Sequence, residues 1–442
     1  MSSDFLVVGA GIAGLAAALR LNEMGYSVEL REARPEAGGL LAPINVDGVP
    51  CDRGSHRLHA EGRAVLDRMS RIPWMTRPRR GRIVIGGRHA NYPLGLRGFL
   101  RSLGLRTSMA FLAGFLTRRR RFHRFRMWER DRTNGVEADR GFQDFVESRV
   151  GRVAYRNFYE PYARKVWGVD PNTMSQTIAK QRVSTSRPAD VLRGRIRTSP
   201  TFLYPRDGMH EVLRSTLDRV RALGTEVRFG VPFDPHEPQS RPVLYSGHLG
   251  DLVANGPFRG EWGHRGLYLL HTVVHDSRLT DPSIDTWYVP DPRFWFGRVS
   301  LPARFSERFR HRDGTILCIE IPEGNWGQDV DFTTSDRATA LFAQLTEAGI
   351  LHPGSFPLIQ TFEPRVYPLY PRGWVARWRS ALATVPNLGP ILPIGRQGLY
   401  LHCNVDHAVR TALDAADHVH RGRTSAEWVA NADRYLDVVV RD

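Results

Sequence analysis

The sequence predicts an α/β fold in which a mostly parallel sheet is joined to an α+β part with a mostly antiparallel sheet. Three observations support this prediction. Residues 5–32 read as strand, glycine turn, helix and strand, which is the order of a parallel βαβ unit. Residues 95–165 read as helical, and residues 241–384 carry several separate strand-like apolar runs. At 442 residues, the chain is long enough for two or three domains with cores of their own.

The composition is that of a globular protein. Hydrophobic residues make up 41% of the chain, and no apolar run approaches the length of a membrane span. The first strand starts almost at the N-terminus with no leader-like segment before it, so we expect a cytoplasmic protein. Cys51, Cys318 and Cys403 are widely spaced, which indicates a reducing compartment. This spacing predicts neither a metal site nor a disulfide framework.

The net charge of +16 is carried almost wholly by arginine, since Lys165 and Lys180 are the only lysines. The codon bias of a GC-rich bacterial genome is the simplest explanation at most positions. The excess should still attract anions such as phosphorylated cofactors or acidic small-molecule substrates. No nucleic-acid module is recognisable, so no nucleic-acid partner is expected. The most basic run, Arg118–Arg126, is either a solvated helix face or a peripheral contact for an anionic membrane or an acidic partner.

The first 32 residues have the features of a Rossmann-like dinucleotide-binding unit. Gly9 permits the tight turn after the first strand, and Gly11 lets the backbone approach a pyrophosphate. Gly14 allows the helix to pack closely on the strand, and the helix N-terminus faces the phosphates. Glu32 ends the second strand and is placed to accept hydrogen bonds from ribose hydroxyls. This spacing predicts a dinucleotide but does not by itself distinguish FAD from NAD.

The later elements follow from local patterns. A polar loop at 51–59 precedes a short helix at 62–69, and residues 81–94 read as a hairpin. A helix at 211–223, ended by Gly224, is followed by a strand at 226–229 that we expect in the first sheet. Further strands are predicted at 267–274, 315–321 and 358–362. Residues 391–402 read as strand, turn and strand before a helix at 406–418.

Several motifs, taken together and in this order, resemble a flavin-binding superfamily that contains the amine oxidases, protoporphyrinogen oxidases and UDP-galactopyranose mutases. Beyond the glycine turn and Glu32, they are Gly38-Gly39, Asp52–His59, Asn91–Leu94, Phe158–Gly168, Gln181-Arg182, Tyr204–Met209, Phe296–Arg298 and Gly395–Tyr400. The resemblance covers nearly the whole chain and is closest to the mutase-like branch. It implies an FAD-dependent enzyme with a glutathione-reductase-like FAD-binding domain.

The resemblance also implies where FAD would bind. The cofactor-binding residues it predicts are Gly9, Gly11, Ala13, Gly14, Glu32, Ala33, Arg34, Gly38, Gly39, Leu40, Gly54, Ser55, His56, Val231, Gly395, Arg396, Tyr400, Asn404, Val405 and Asp406. The FAD-binding domain would comprise residues 1–94, 201–240 and 386–442. The substrate-binding domain would comprise a helical part, 95–200, and a β-rich part, 241–385.

Two chemistries remain open at this point. In the first, flavin N5 accepts a hydride from a C–H bond next to nitrogen or oxygen in a small molecule. Candidate catalytic residues are His56, Lys165, Arg298 and His402. His56 either accepts a proton, holds the substrate, or is a loop histidine bonded to backbone. Lys165 either bonds a water at the flavin or anchors its helix.

The second chemistry is a non-redox sugar-nucleotide mutase reaction on reduced FAD. Arg182, Arg298 and Tyr400 would then hold a diphosphate, for which planar arginine is well suited. His402 is also a candidate substrate-binding residue, but it stands where the family commonly has a tyrosine, which weakens this alternative. Ser55 likewise replaces the second glycine of the histidine loop. A flavin-free interaction protein is a third reading, and the completeness of the cofactor motifs argues against it.

Overall fold

The computed structural model of the protein describes residues 3–58, 60–85, 87–92, 109–110, 113–114, 139, 141–182, 201–324, 326, 329–438 and 440. The basic run Arg118–Arg126 and most of the helical segment predicted at 95–165 lie outside these ranges. So does His59 of the polar loop.

The described strands are β1 (Phe5–Val8), β2 (Val28–Glu32), β3 (Ile44–Val46), β4 (Val49–Cys51), β5 (Trp74–Pro78), β6 (Gly81–Ile85), β7 (Arg88–Tyr92), β8 (Thr201–Pro205), β9 (Glu226–Phe229), β10 (Val243–Tyr245), β11 (His264–Val274), β12 (Thr286–Tyr288), β13 (Arg298–Ser300), β14 (Arg310–His311), β15 (Gly314–Pro322), β16 (Ile359–Pro368) and β17 (Ile391–Pro393). The main helices are α1 (Ile12–Glu23), α2 (Ala60–Asp67), α3 (Phe142–Val150), α4 (Glu160–Trp167), α5 (Gln176–Arg182), α6 (Met209–Ala222), α7 (Leu249–Leu252), α8 (Ser335–Glu347), α9 (Trp374–Thr384), α10 (Gly395–Gly398), α11 (Val405–His420) and α12 (Ser425–Ala430).

The first sheet is parallel and has the strand order β17-β10-β1-β2-β9. Its central strands β1 and β10 are short, buried apolar runs, as expected for a parallel sheet covered by helices. Helix α1 packs between α6 and α11, and its inward residues, such as Leu15 and Leu19, are fully enclosed. The predicted return of the strand at 226–229 to this sheet is confirmed, since β9 pairs with β2.

The second sheet is mostly antiparallel and has the order β16-β11-β15-β13-β12-β6-β7, with β14 also paired to β15. The one parallel contact on this path joins β12 to β6. The strands predicted at 267–274, 315–321 and 358–362 are present as β11, β15 and β16. Long runs of valine, isoleucine and leucine in β11 and β15 are buried, which is why these strands form the centre of the sheet.

Two strand assignments differ from the expectation. Strand β10 lies in the range expected for the substrate-binding part, yet it pairs between β1 and β17 in the parallel sheet. The hairpin β6–β7 was expected with the cofactor, yet it extends the second sheet through β12. Both differences come from long-range pairing, which local apolar patterns do not encode.

The prediction of a second strand between Gly395 and His402 is wrong. Gly395 has φ +72° and opens the short helix α10 instead. Tyr400 then adopts φ +50°, a left-handed conformation that is incompatible with a strand. Among the described helices, none is both long enough and apolar enough to cross a membrane.

Candidate active site

A cavity of about 540 Å3 lies between the carboxyl ends of the parallel strands and one face of the second sheet. Residues from β1, β2 and the loop after β10 line one side, and residues from β11, β13, β15 and β16 line the other. The carboxyl ends of parallel strands are where α/β folds bind ligands. The volume is in the range of small-molecule and cofactor sites.

The glycine turn fits its expected roles. Gly9 has φ +94°, and a Cβ there would lie 2.3 Å from the Ser246 hydroxyl. A Cβ on Gly14 would lie 1.8 Å from the Gly9 carbonyl oxygen, so only glycine lets α1 approach β1 this closely. Gly11 lines the cavity, and a Cβ there would have no described protein atom within 4 Å. Space is therefore left beside Gly11 for a ligand.

Glu32 is held in place by backbone donors at the cavity wall. Its Oε2 accepts from the amide of Ala10 at 2.6 Å, and its Oε1 accepts from the amide of Arg34 at 2.9 Å. The carboxylate thus joins the glycine turn to the end of β2 while keeping lone pairs for ribose hydroxyls. Val231 also lines the cavity, and its amide donates to the Glu32 carbonyl at 2.9 Å.

The loop after β2 is fastened to the second sheet. The amide of Gly38 donates to the Ala10 carbonyl at 3.1 Å, which sets the loop beside the glycine turn. Glu363 of β16 is buried and forms ion pairs with Arg53 at 2.9 Å and with Arg34 at 3.6 Å. These contacts connect the two sides of the cavity. Ala33, Gly39 and Leu40 also line it.

The C-terminal segment supplies another part of the wall. Ala13, Gly395, Arg396, Asn404 and Val405 line the cavity, whereas Asp406 does not. Asn404 is the N-cap of α11 and forms a capping box with His407. The N-terminus of this 16-residue helix therefore lies at the cavity and presents partial positive charge to anionic oxygens.

Asp52 explains how the histidine loop is positioned. It is buried and accepts from the amides of Met209 at 2.8 Å and His210 at 3.2 Å, as well as from the Tyr204 hydroxyl. It thus caps α6 while fixing the start of the loop that contains His56. Two of the sequence motifs are therefore joined through one carboxylate.

His56 and Ser55 follow in this loop and line the cavity. The Nε2 atom of His56 and the hydroxyl of Ser55 are shielded from solvent and have no hydrogen-bond partner among the described residues. Desolvation lowers the pKa of His56, and the charge of Asp52 only partly offsets this effect. His56 is therefore held neutral near pH 7.

A buried ion pair lies next to His56. The Nε and Nη2 atoms of Arg298 donate to the two carboxylate oxygens of Glu320 at 2.8 and 2.7 Å. Although desolvation acts in the opposite direction, the Glu320 carboxylate raises the pKa of Arg298 well above its ordinary value. Gly54, at φ +81°, is where the loop passes Glu320, since a Cβ there would lie 3.1 Å from its carboxylate.

His402 is 2% exposed and lines the cavity with Tyr367. Its Nδ1 lies 3.2 Å from Nη2 of Arg396, and its backbone amide donates to the Tyr370 hydroxyl at 2.6 Å. The rings of His402, Tyr367 and Trp167 lie 6.2 to 6.3 Å apart. Cys403 also lines the cavity, and burial raises the pKa of its thiol to about 12, so it is not a thiolate.

Two of the predicted catalytic and substrate-binding residues, Lys165 and Tyr400, do not line the cavity. Lys165 does not line the cavity, and its ammonium donates to the carbonyls of Val289 (2.8 Å), Phe296 (3.1 Å) and Asp291. These contacts favour the alternative in which Lys165 anchors its helix, and its catalytic role stays a prediction. The side chain of Arg182, at the end of α5, lies outside the described residues.

Tyr400 is 1% exposed and absent from the cavity wall. Its hydroxyl is bonded to the backbone of Leu369 and to the carbonyl of Gly263. The hydroxyl is engaged in fixing the left-handed turn before His402, so the substrate contact through this group stays a prediction that the geometry does not support.

Several residues of the cavity wall were not predicted from the sequence. Ser246 and His248 follow β10, and they were missed because β10 was not expected in the parallel sheet. Glu320 was missed because it lies in a strand read as apolar, and Glu363 because it directly follows another such strand. A lone acidic residue in an apolar strand was the available signal, because buried carboxylates need a partner.

The residues present fit a dinucleotide with a flavin. The open space beside Gly11, the carboxylate of Glu32 and the N-terminus of α11 suit ribose and pyrophosphate groups. At the other end, the Ser55 hydroxyl and His56 Nε2 are shielded, have no partner among the described residues and are suited to polar contacts with a ligand. In the part of the chain that the structure describes, no cluster of three or more histidine, cysteine or acidic residues could hold a metal ion.

Comparison with known proteins agrees with this geometry. The family described as flavin-containing amine oxidoreductase matches residues 12–234. A Mycobacterium tuberculosis protein named as flavin-containing monoamine oxidase AofH is 29% identical over 198 residues. That match covers 43% of this chain and 42% of the relative, so it spans less than half the length of the curated relative.

The fold is also found among solved structures. A reduced UDP-galactopyranose mutase superimposes with a TM-score of 0.78 at 18% identity, covering 100% of this chain and 98% of the other. An Exiguobacterium protein described as a protoporphyrinogen oxidase gives 0.70 at 17% identity, covering 96% of this chain and 100% of the other. At such identities the similarity concerns the fold.

Proposed function

This chain belongs to the flavin-containing amine oxidoreductase family and its cofactor is FAD, and from that premise we propose that it oxidises a small molecule. The reaction would remove a hydride from a C–H bond next to nitrogen or oxygen. Bound FAD supplies the hydride acceptor. The protein binds and orients the substrate, excludes water and receives the proton.

One observation carries the proposal. His56 Nε2 is shielded, unpartnered among the described residues and on the wall of the cavity that also contains the glycine turn. A neutral imidazole in that position can take the proton that leaves the substrate as the hydride departs. The lowered pKa of His56 supports this role because it keeps the ring neutral.

We further propose that the parallel sheet carries FAD and that the second sheet carries the substrate. The glycine turn after β1 and the acid at the end of β2 support a Rossmann-like, glutathione-reductase-like cofactor part. In this division, 243–245 is assigned to the cofactor part and 81–92 to the substrate part, in line with their sheets. Residues 95–200 remain assigned to the substrate part, and residues 201–240 and 386–442 remain assigned to the cofactor part.

The mutase reaction is the second candidate, favoured by the fold similarity to a UDP-galactopyranose mutase. Its diphosphate clamp has less support. Of the residues it would use, Arg298 is engaged by Glu320 and the Tyr400 hydroxyl by backbone. The resemblance described for the sequence also implies that His402 stands where the family commonly has a tyrosine.

Anaerobic flavin reduction tests the proposal. Purified protein should show an oxidised flavin spectrum, and amines, alcohols and sugar nucleotides are then screened for bleaching without O2. A compound that bleaches the flavin and is recovered in oxidised form supports the oxidoreductase. Product that forms only after dithionite reduction, with no net electron transfer, would favour the mutase. Protein that fails to bind added FAD would contradict both.

A further inference from the structure

We propose that two ion pairs made by strand β16 form a clasp that closes the cavity over FAD and sets how fast the cofactor enters and leaves. The clasp consists of the pair Arg34–Glu363 and the pair Asp251–Arg365. This role concerns the cofactor rather than the substrate, so it goes beyond the proposed oxidation and applies equally to the mutase alternative.

The two ion pairs start from loops on either side of the glycine turn. Arg34 follows β2 and Asp251 follows β10, and these two strands are the neighbours of β1 in the parallel sheet. Their partners, Glu363 and Arg365, both belong to β16 of the second sheet. All four residues line the cavity. A cofactor bound on the turn after β1 would therefore be enclosed between two connections to the same strand.

Arg365 lies in a β-bulge of β16. Between Glu363 and Tyr367 the register of this strand against β11 is broken, which leaves Pro364 and Arg365 exposed. Proline suits a bulge because it has no N–H to give to the ladder. The Arg365 carbonyl accepts from Nε2 of Gln397 at 2.7 Å, which holds the bulge against α10. Bulges often re-aim a side chain beside a functional site, and this one brings a cation to the cavity.

The pair Asp251–Arg365 lies at the rim of the cavity. Nη1 of Arg365 is 3.4 Å from Oδ2 of Asp251, and each side chain is 48% exposed while also lining the cavity. Although burial acts to raise it, the pKa of Asp251 is lowered by His248, whose Nδ1 lies 3.7 Å from Oδ1, and by the charge of Arg365. The carboxylate is therefore charged at neutral pH and attracts Arg365 across the rim.

The pair Arg34–Glu363 has the opposite polarity. Here the cation comes from the parallel sheet and the buried carboxylate from β16, and the charged groups lie 3.6 Å apart. Arg53 also pairs with Glu363 at 2.9 Å and keeps this carboxylate in place. Glu363 and Arg365 thus carry opposite charges, and each faces a loop of the complementary charge. This pattern fixes which part of β16 meets which loop.

The exposure of Asp251 and Arg365 suits a connection that opens. Ion pairs at a surface contribute little to stability because water and salt screen them, so this side of the clasp can open while both sheets stay folded. The pair joins two parts of the protein rather than protein and ligand. Weakening it should therefore speed entry and release by a similar factor and leave the affinity for FAD almost unchanged.

FAD release tests the clasp on the loaded protein. Protein carrying radiolabelled FAD is chased with excess unlabelled FAD, and equilibrium dialysis of the same samples gives the dissociation constant. Asp251→Asn and Arg365→Gln should each release FAD about two- to fivefold faster, as expected for the loss of an exposed ion pair. The double variant should be no faster than either single variant, because the same pair is lost in all three. The dissociation constants should stay close to that of the wild type.

Exchanging the two charges distinguishes a clasp from direct contacts with FAD. Asp251→Arg or Arg365→Asp alone places like charges opposite each other and should speed release further. The two together restore an ion pair and should return the release rate close to that of the wild type. Fast release that the exchange does not restore, together with weaker FAD binding, would overturn the proposal in favour of direct contacts.

A matched control comes from the exposed pair Arg379–Asp433, which does not line the cavity. Asp433→Arg should leave FAD release unchanged, and circular dichroism shows whether each variant is folded. Should a charge reversal fail to fold, the neutral variants decide. Release at the wild-type rate in both Asp251→Asn and Arg365→Gln would overturn the clasp.

Discussion

The two carboxylate oxygens of Glu320 accept from Nε and Nη2 of Arg298 at 2.8 and 2.7 Å, within a cavity wall where Glu320 is 2% exposed. The pair joins β13 to β15 directly across the sheet, since the two residues are register partners. It lies beside His56 and contributes two opposite charges that cancel. Its geometry is bidentate, which fixes the guanidinium plane as well as its distance.

Removing one member of this pair should destabilise the protein strongly. Arg298→Met leaves a buried carboxylate without a counter-charge, and we expect the free energy of unfolding to fall by about 3–5 kcal/mol. Urea unfolding with excess FAD measures it. Adding Glu320→Leu should recover most of the loss. In the exposed pair Arg379–Asp433, with side chains 53% and 47% exposed, Arg379→Met should cost less than about 1 kcal/mol. Equal losses at the two sites would contradict this account.

The glycine turn gives a matched pair of variants. Gly11 has an extended backbone with φ −76° and an open cavity side, so Gly11→Val should fold normally. The added side chain would occupy the ligand space, and we expect FAD affinity to fall about tenfold or more. Circular dichroism and FAD titration measure the two effects. Gly14→Ala should instead impair folding, because its Cβ would lie 1.8 Å from the Gly9 carbonyl. Normal FAD affinity in Gly11→Val would contradict the placement of the ligand.

The sequence was sufficient for the parts of the fold that are local. The β1–α1–β2 unit, with its glycines and Glu32, is contiguous, and each residue's role follows from turn geometry and spacing. Strands β11, β15 and β16 were predictable from apolar runs. The left-handed turn at Tyr400 was not predictable and was read as a strand, since long-range hydrogen bonds hold the turn against local propensity.

The site was less predictable because its chemistry depends on pairing across the chain. Lys165 has the same sequence signal as a catalytic lysine, and only its three carbonyl partners reveal an anchor. Arg298 was identified, but its partner Glu320 was not, because strand register decides that contact. The neutrality of His56 likewise depends on its burial, which no local pattern specifies.

The pH dependence of turnover should report His56. Burial lowers its pKa below 6.5, so the ring stays able to accept a proton at pH values where an exposed histidine is already charged. We expect kcat/KM to hold its plateau down through pH 6.5 and to fall only at lower pH. Rates of anaerobic flavin reduction across pH 5–9 measure this limb. His56→Asn should lower the rate about 10²–10⁴-fold while keeping FAD content. A limb above pH 6.5, or unchanged turnover in the variant, would exclude His56 as the proton acceptor.

Lys165 should affect stability in a pH-dependent way. Desolvation lowers its pKa from 10.5 to about 7 in the folded protein. Between these values the unfolded chain binds one more proton than the folded chain, so the contribution of Lys165 to stability rises as pH rises from about 7 to 10.5. Urea unfolding of the wild type and of Lys165→Met at several pH values isolates this contribution, because the other groups cancel in the difference.

The free energy of unfolding of the wild type, relative to that of Lys165→Met, should rise as the pH increases from about 7 to 10.5. Turnover per FAD-loaded molecule should stay close to that of the wild type, since Lys165 lies away from the cavity wall. Lys180→Met serves as the matched control, because Lys180 is the other lysine of the chain and has no place in this loop. A stability difference that is flat or falls with pH would contradict a buried amine near neutrality. A large loss of turnover with normal FAD content would restore a catalytic role to Lys165.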